Sequence, residues 1–467
     1  MRHGLKNALG WMAPLLLLIA FVAVPDVARA NGFRIFDQSA SAMGQSSAFT
    51  AQADDASAVY YNPAGMTQLR GVQFSGGMLF VGGSTSFKAP SGASVTGGFG
   101  DSMAYPPPVN LYVTANLKDL GIRALGDTTL GLAVISPFGI QNGYPANGPF
   151  ATATTYVAVE ILNFKPTVAY KLNDQLSFGA GLDIYTFVPF IGQGQAENIF
   201  NSSGGPGLPP AGSRIEINGR DTAVGFNFST MYTPLRNEDG KPLLNVGFVY
   251  RSSTALNLQG QYLSNGRALA NASTNFVLPE SYTLGVAYWP LRDRDREWKL
   301  EIDLDYTGWQ NFRNNNVTLS TGSTISAPRT WQNATTLMLG TEHKWLHVDQ
   351  LPDWEVAARA GYWYSETPVP DTTFNPSLPN ANSNSMTLGF GFMCKGQGHF
   401  LGFINCSPSS EQGFGPKAIG VDLAYRALFY ETRTVTGNQA PLALPGVVNG
   451  TYNTTLHIGS LNLRVNF

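Results

Sequence analysis

Three carboxylates spaced two residues apart are the first candidates for chemistry in this chain. Glu301, Asp303 and Asp305 stand in a row, and apolar residues fill the positions between them. Paired carboxylates can act as general acid and base. However, residues at i, i+2 and i+4 also share one face of a β-strand. The spacing therefore predicts a strand with an acidic face and an apolar face more strongly than it predicts a catalytic centre.

The sequence offers few other groups for catalysis. A nucleophilic mechanism needs a base such as histidine beside the nucleophile. The chain has five histidines and none stands in such a motif, so the sequence does not favour an enzyme, which is kept as an alternative. The two cysteines, Cys394 and Cys406, are not accompanied by clustered histidines, so we expect no metal and no cofactor. After export a disulfide between them is expected, and two reduced thiols are the alternative.

The composition is unusual for a chain of 467 residues. Charged residues make up 13%, against roughly 25% in soluble domains, yet the mean hydropathy is only −0.06. A helical membrane protein would be more apolar. The formal charge of −2 argues against a nucleic-acid partner. A transmembrane β-barrel reconciles these values, because alternating apolar and polar residues average out.

The first thirty residues read as a secretory signal. Arg2 and Lys6 precede an apolar stretch over 11–24, and Ala28-Arg29-Ala30 has the pattern of a signal-peptidase site. The stretch is shorter than the roughly 20 residues that a membrane span needs. We therefore predict a signal peptide over 1–30 and a mature start at Asn31. An N-terminal membrane anchor is the alternative.

Residues 70–467 predict the wall of an all-β membrane protein, an antiparallel transmembrane barrel of about 14 strands. Twelve or sixteen strands are the alternatives. Short connections are expected at the periplasmic end and long ones outside, although the loop after Cys394 is long and periplasmic. The predicted strands lie near 71–87, 105–116, 128–140, 154–172, 175–192, 213–233, 243–262, 274–289, 297–313, 329–346, 353–366, 384–395, 415–432 and 451–467.

Residues 31–69 do not read as a strand. They are rich in Ala, Ser and Gln, and their only charged residues are Arg34, Asp37, Asp54 and Asp55. The Asp54–Asp55 pair is placed to cap a short helix. Because a barrel this wide leaves an unfilled lumen, we expect the segment to form a plug inside it. A periplasmic tail is the alternative.

Several motifs then resemble those of the FadL-type outer-membrane transporters of long-chain fatty acids and other hydrophobic compounds. The similarity covers nearly all of the mature chain. The matching motifs are Gly32-Phe33, residues 39–44, Ala53-Asp54-Asp55-Ala56, Tyr61-Asn62-Pro63-Ala64-Gly65-Met66, residues 278–286, Tyr306-Thr307-Gly308-Trp309, Ala360-Gly361-Tyr362 and the terminal Phe467.

The third predicted strand contains a possible break in the wall. Pro137 cannot donate to a strand ladder and Gly139 weakens pairing, so these residues indicate a kink, a bulge or the end of the strand. The resemblance favours an inward kink that opens a lateral gap, with Phe138 between the two.

The resemblance also assigns the remaining site residues. The mature N-terminus would contact the ligand, a second set would support the plug, and apolar loop residues would form an outer groove. These residues are Asn31, Gly32 and Phe33 for the ligand; Asp54, Asp55, Asn62, Pro63 and Ala64 for the plug; and Phe187, Phe190, Ile191 and Phe200 for the groove, with 263–275 as a second groove loop.

The implied function is uptake of hydrophobic compounds, foremost long-chain fatty acids, by ligand-gated passive diffusion across a bacterial outer membrane. The partners expected are a hydrophobic small molecule and outer-membrane lipid, and we expect a monomer. Residues 185–195 contain no Arg or Lys to meet a carboxylate, so uncharged hydrocarbons are the alternative ligands. Other basic residues that could take that role are Lys165, Arg251, Arg359 and Arg426. A general porin is a further alternative.

Overall fold

The computed structural model describes residues 32–189, 192–407, 415–439 and 446–467. The predicted signal peptide and Asn31 lie outside the described residues, as do Phe190 and Ile191. Within the described ranges, no helix is both long and apolar enough to span a membrane.

Strands dominate the described chain. The helices among the described residues have one or two turns each: α1 (Ala40–Met43), α2 (Ala58–Tyr61) and 3₁₀ helices at Pro63–Gln68, Arg123–Leu125, Trp309–Asn311 and Asp371–Thr373. The strands are β1 (Val72–Lys88), β2 (Ser94–Met103), β3 (Val109–Asn116), β4 (Thr128–Gly143), β5 (Tyr156–Lys171), β6 (Leu176–Thr186), β7 (Ala196–Asn201), β8 (Arg214–Gly219), β9 (Thr222–Arg236), β10 (Pro242–Arg251), β11 (Thr254–Ser264), β12 (Arg267–Leu278), β13 (Ser281–Arg292), β14 (Arg296–Thr307), β15 (Val317–Leu319), β16 (Thr324–Ile325), β17 (Ala334–Trp345), β18 (Trp354–Ser365), β19 (Ser383–Lys395), β20 (His399–Phe400), β21 (Ile404–Asn405), β22 (Ala418–Tyr430), β23 (Arg433–Val435) and β24 (Gly450–Asn466).

Fourteen of these strands form a closed antiparallel barrel, as the sequence predicts. The first and last strands pair from Gln73↔Asn466 to Lys88↔Thr451, which closes the wall. In order around the barrel the wall strands are β1, β3, β4, β5, β6, β9, β10, β13, β14, β17, β18, β19, β22 and β24.

Alternation along each strand separates an inner face from an outer one. On β14 the acidic residues Glu301, Asp303 and Asp305 are buried inside, while Trp298 and Leu300 point outward and are exposed. The carboxylate row is therefore the inner face of a strand, as its spacing indicates. Apolar side chains suit the lipid outside, and polar ones suit the lumen.

The predicted strand boundaries are wrong on the outer side of the barrel. The prediction for 213–233 merges β8 with β9, and those for 243–262 and 274–289 merge wall strands with a separate hairpin, β11–β12. That hairpin pairs with β8 above the wall, and 263–275 holds its turn rather than a long loop. Alternating polarity continues from the wall into these outer hairpins, so hydropathy alone does not mark where the wall ends.

Residues 32–69, here called the N-terminal segment, lie inside the barrel. Almost all of residues 33–66 are buried. The segment approaches the wall closely at glycines. A Cβ at Gly361 would stand 2.4 Å from the carbonyl carbon of Gln45, and one at Gly247 would stand 2.4 Å from the carbonyl oxygen of Thr50. The inner wall is thus shaped to the backbone of this segment.

A side chain added at one of these wall glycines should loosen the N-terminal segment without disturbing the barrel wall. In Gly361→Leu the new side chain collides with Gln45, a kind of overpacking that costs about 1–3 kcal/mol. We expect correct barrel assembly and a severalfold rise in ion conductance in planar bilayers. The matched control is Gly459→Leu, where the nearest atom to a Cβ is 3.8 Å away on Phe80. Equal conductance of the two variants would contradict this role of the contact.

Candidate functional site

The carboxylates of β14 hold the N-terminal segment through its backbone. Asp303 accepts hydrogen bonds from the backbone N–H groups of Phe49 (3.0 Å) and Thr50 (2.9 Å). Glu301 accepts bonds from Ala51 (2.7 Å) and Gln52 (3.2 Å). These irregular residues cannot satisfy their own N–H groups, so the wall carboxylates do it for them.

The third carboxylate of the row binds the start of the segment. The Arg34 guanidinium lies 2.8 Å from Asp305 and also donates to the Thr307 hydroxyl at 3.1 Å. Both charged side chains are almost fully buried. A buried ion pair of this kind is costly to break, because either partner alone would leave an unpaired charge in the interior.

The four basic residues that could meet a ligand carboxylate all have partners within the protein. Lys165 pairs with Asp183 at 2.8 Å, and Arg426 pairs with Asp37 of the N-terminal segment at 2.7 Å. Arg359 and Arg251 are also bound: Arg359 bridges Glu342 (2.6 Å) and Asp422 (2.7 Å), and Arg251 donates to the backbone carbonyl of Tyr60.

The expected plug-support residues all contact the segment or the wall. Asp54 pairs with Lys344 at 2.9 Å. Asn62 donates to the carbonyl oxygens of Thr50 and Thr230, and the Ala64 N–H donates to Ser229. A Cβ at Gly179 on β6 would stand 2.6 Å from Pro63.

The helix-capping expectation for the acidic pair is met by Asp55 and not by Asp54. The Asp55 carboxylate accepts a hydrogen bond from the Ser57 backbone N–H, and the Asp55 carbonyl accepts one from the Ala58 N–H, which is the arrangement of an N-terminal cap. Ser57, directly before helix α2, makes no side-chain cap bond of its own. Asp55 also accepts bonds from the hydroxyl groups of Ser57 and Ser41, so it ties the helix start to the rest of the segment.

The third wall strand, β4, is irregular where Pro137 and Gly139 occur. Its pairing with β5 shifts register between Ile135 and Phe138. There the N-terminal segment takes the place of a neighbouring strand. The Ile35 N–H donates to the Pro137 carbonyl at 2.8 Å, and the Gly139 N–H donates to the Phe33 carbonyl at 3.1 Å. The segment and the irregular strand thus complete each other's hydrogen bonding.

On its other side β4 borders a gap in the wall. The second wall strand is interrupted at residues 104–108, between β2 and β3. Pairing of β4 with β3 ends at Asn110↔Ile135 and resumes with β2 only at Gly98↔Gly143. Across the gap the Gln141 side chain exchanges two hydrogen bonds with the Tyr105 backbone, both at 3.0 Å. One side-chain amide therefore bridges this part of the gap.

An inner cavity of about 230 Å³ opens onto this gap. It lies between the start of the N-terminal segment and the wall. Its lining is mostly apolar and includes Phe33, Ile35, Pro107, Phe138, Leu428 and Ile458.

An outer cavity of about 480 Å³ lies beneath the outer hairpins. It is lined largely by apolar residues, among them Phe200, Ile215, Leu258, Phe276 and Trp331. Phe33 lines both cavities, as do Ile140 and Val159. The two spaces therefore meet at Phe33.

Phe33 is held in an aromatic cluster. Its ring centroid lies 4.7 Å from Trp309, 5.1 Å from Phe276 and 5.9 Å from Phe138. A Cβ at the preceding Gly32 would stand 2.5 Å from the Trp309 ring, so only glycine fits there. The sequence points to Phe33 but not to its aromatic partners, which come from distant parts of the chain and share no local pattern.

The expected outer-groove residues separate in the structure. Phe187 is buried in the same apolar cluster as Phe33, whereas half-buried Phe200 lines the outer cavity. Asn31, Phe190 and Ile191 fall outside the described residues.

Two unused donors line the outer cavity, and sequence reasoning misses both. The Arg329 guanidinium makes no hydrogen bond or ion pair with any described residue, and its burial lowers the pKa to about 10. The buried Trp331 indole N–H also lacks a partner among the described residues. A buried donor such as this indole is rarely left unpaired, and the half-buried Arg329 stands two residues from it, so this side of the cavity suits an acceptor group on a ligand.

The sequence matches a known family over most of its length. Residues 21–399 match the model of the outer membrane protein transport proteins (OMPP1/FadL/TodX). The chain belongs to this family. FadL/TodX proteins are transport channels of the outer membrane, so the chain is a transporter of hydrophobic compounds and not an enzyme.

Relatives within the FadL/TodX family span almost the whole barrel. The long-chain fatty acid transport protein of Escherichia coli K12 is 24% identical over 411 residues, covering 80% of this chain and 86% of that protein. A FadL homologue of Pseudomonas aeruginosa has a TM-score of 0.71 at 18% identity, covering 94% and 100%. The toluene transporter TbuX of Ralstonia pickettii has a TM-score of 0.60 at 15% identity, covering 93% and 100%.

The buried Arg34–Asp305 pair should anchor the start of the N-terminal segment. Losing one partner of a buried pair costs about 3–5 kcal/mol, so Arg34→Met should greatly speed hydrogen exchange at the Ile35 and Gly139 amides. The control is Arg70→Met. Arg70 pairs with Asp119 but its side chain is 73% exposed, against 4% for Arg34, so about 0–1 kcal/mol is at stake. Unchanged exchange at Ile35 in Arg34→Met would refute the anchoring role.

Proposed function

We propose that this transporter takes up long-chain fatty acids by passive diffusion and releases them sideways into the membrane. The observation that carries the proposal is the meeting of two apolar cavities at Phe33, the inner one of which opens onto the gap beside β4. A ligand enters the outer cavity, displaces Phe33, and passes through the inner cavity to the gap.

The proposed route needs no energy source. An apolar chain gains free energy by leaving water for an apolar lining, and it gains again on reaching the acyl region of the bilayer. We propose that residues 31–69 act as the plug. The ligand moves Phe33 and the adjoining backbone bonds to β4, while the ion pairs deeper in the lumen keep the rest of the segment in place.

The unused donors of the outer cavity support a fatty acid as ligand. A carboxylate could accept hydrogen bonds from Arg329 and Trp331 together, and such charge-assisted bonds are the strong ones. Glu197 also lines this cavity and would repel a carboxylate near it, so the head group is directed to Arg329. The E. coli relative is named for long-chain fatty acids.

Uncharged hydrocarbons are the second candidate. They are favoured by the apolar lining of the inner cavity and by the absence of basic residues over 185–195. Two of the solved relatives, TbuX and TodX, are named as toluene transporters. The two candidates differ in their need for Arg329.

Removing the Arg329 charge should weaken binding of a fatty acid selectively. A hydrogen bond to a charged group contributes about 1.5–3 kcal/mol, so Arg329→Met should lower oleate affinity roughly 10- to 100-fold and leave toluene affinity unchanged. Titration calorimetry in detergent measures both. Since the pKa of Arg329 is about 10, oleate affinity of the native protein should fall as the pH rises through that value.

The matched control is Arg313→Met, because Arg313 is an exposed residue of the same loop. Arg329→Lys should keep part of the oleate affinity. If Arg329→Met binds oleate as tightly as the native protein does, the carboxylate is not held there, and the hydrocarbon candidate gains.

If ligands leave through the gap beside β4, substitutions that close the gap should lower uptake and substitutions that open it should raise uptake. Pro137→Val with Gly139→Val should regularise β4 and reduce uptake, because strand formers pair where these residues cannot. Gln141→Ala removes the two hydrogen bonds to Tyr105 and should raise uptake. Uptake of labelled oleate by cells with equal amounts of assembled protein measures both, with Gly459→Val as control. Normal uptake by the assembled double variant would exclude this exit.

A further inference from the structure

A small hairpin projects from the connection between β19 and β22. Strands β20 and β21 pair at His399↔Asn405 and Phe400↔Ile404. A disulfide between Cys394 and Cys406 closes the hairpin at its base. The connection lies at the periplasmic rim, because it shares that end with the start of β1 and the end of β24. The family's transport function does not account for this hairpin.

The hairpin folds against the outside of the barrel rather than under its opening. Along β19 the inward positions end at Met393, so Cys394 points outward. Cys394, Cys406 and Phe400 form one buried cluster with Ile419, and Trp354, Val421 and Val465 pack onto it. These wall residues occupy outward-facing positions of their strands. The hairpin therefore covers part of the face that meets lipid.

The tip of the hairpin leaves two large apolar side chains uncovered. Leu401 is 71% exposed and Phe403 is 74% exposed, and Ile404 beside them is also exposed. On the adjoining wall the outward residues Phe390 and Phe392 are exposed as well. Exposed apolar side chains thus stand both on the hairpin tip and on the wall beside it.

Charges of both signs stand at the rim beside the hairpin, where Asp353 accepts a hydrogen bond from the Gln397 N–H. His399 and Lys417 are exposed and lie at the rim beside the hairpin, and neither makes a side-chain hydrogen bond or ion pair with a described residue. Basic side chains attract anionic head groups while apolar ones enter the acyl boundary. In water the two apolar side chains would instead forgo the free energy of burial.

We propose that residues 399–405 insert into the inner leaflet of the outer membrane and anchor the barrel there. The occupant of this surface is phospholipid, because the hairpin lies on the lipid-facing side of the wall and its exposed apolar residues stand beside exposed apolar residues of the wall. A periplasmic protein would meet the barrel at its end, where the short turns lie. The disulfide keeps the hairpin against the wall.

Site-specific photo-crosslinking in intact outer membranes tests this proposal. Phe403 is replaced with p-benzoylphenylalanine, a change that preserves an aromatic side chain at an exposed site. The positive control is the same replacement at Leu388, an exposed outward residue of β19, and the negative control is at Asp174, in an exposed periplasmic turn. Mass spectrometry of the purified protein identifies the adducts.

We expect phospholipid adducts at 403 in a yield close to that at 388 and severalfold above that at 174. A second measurement uses purified protein in liposomes of phosphatidylethanolamine and phosphatidylglycerol, where the same lipid adducts should form without any other protein. A protein adduct at 403, or a lipid yield no higher than at 174, would overturn the proposal.

Discussion

The architecture depends on the need to satisfy backbone polar groups inside a wide barrel. Fourteen strands enclose a lumen that side chains alone do not fill, and the N-terminal segment that occupies it has only short helices joined by irregular chain. Its N–H groups find their acceptors on the wall, chiefly Glu301 and Asp303. Three ion pairs, Arg34–Asp305, Lys344–Asp54 and Arg426–Asp37, add charged links between the segment and the strands.

At the third wall strand, β4, the roles are reversed, and the N-terminal segment supplies hydrogen-bond partners to the wall. There the wall lacks partners, and the backbone at Phe33 and Ile35 supplies them. One short stretch thus lines two cavities and completes an irregular strand beside the gap in the wall. On the proposed route, a ligand that displaces Phe33 would act on the strand that borders the gap, and contiguous backbone contacts would couple entry to exit.

The sequence was sufficient for features that depend on local chemistry. Alternation on β14 identifies its carboxylates as one face of a strand, and Pro137 with Gly139 marks the place where pairing becomes irregular. Features that depend on contacts between distant parts of the chain could not be predicted from the sequence. Asp55 also accepts a hydrogen bond from Ser41, which lies 14 residues away, and the Arg329 guanidinium is notable only because no described residue bonds to it. The outer hairpins share the polarity pattern of the wall, so their boundaries were misplaced.

The glycines of the inner wall divide the molecule into two surfaces with different tolerance for mutation. Lipid is a fluid neighbour and accepts any apolar outline, so the outward positions can drift among Leu, Phe and Tyr at little cost. At Gly247 and Gly361 the neighbour is a fixed backbone, and even one methyl group is too large. Random mutagenesis of this barrel should therefore leave a pattern of period two, with harmful substitutions clustered on the inner face opposite the N-terminal segment.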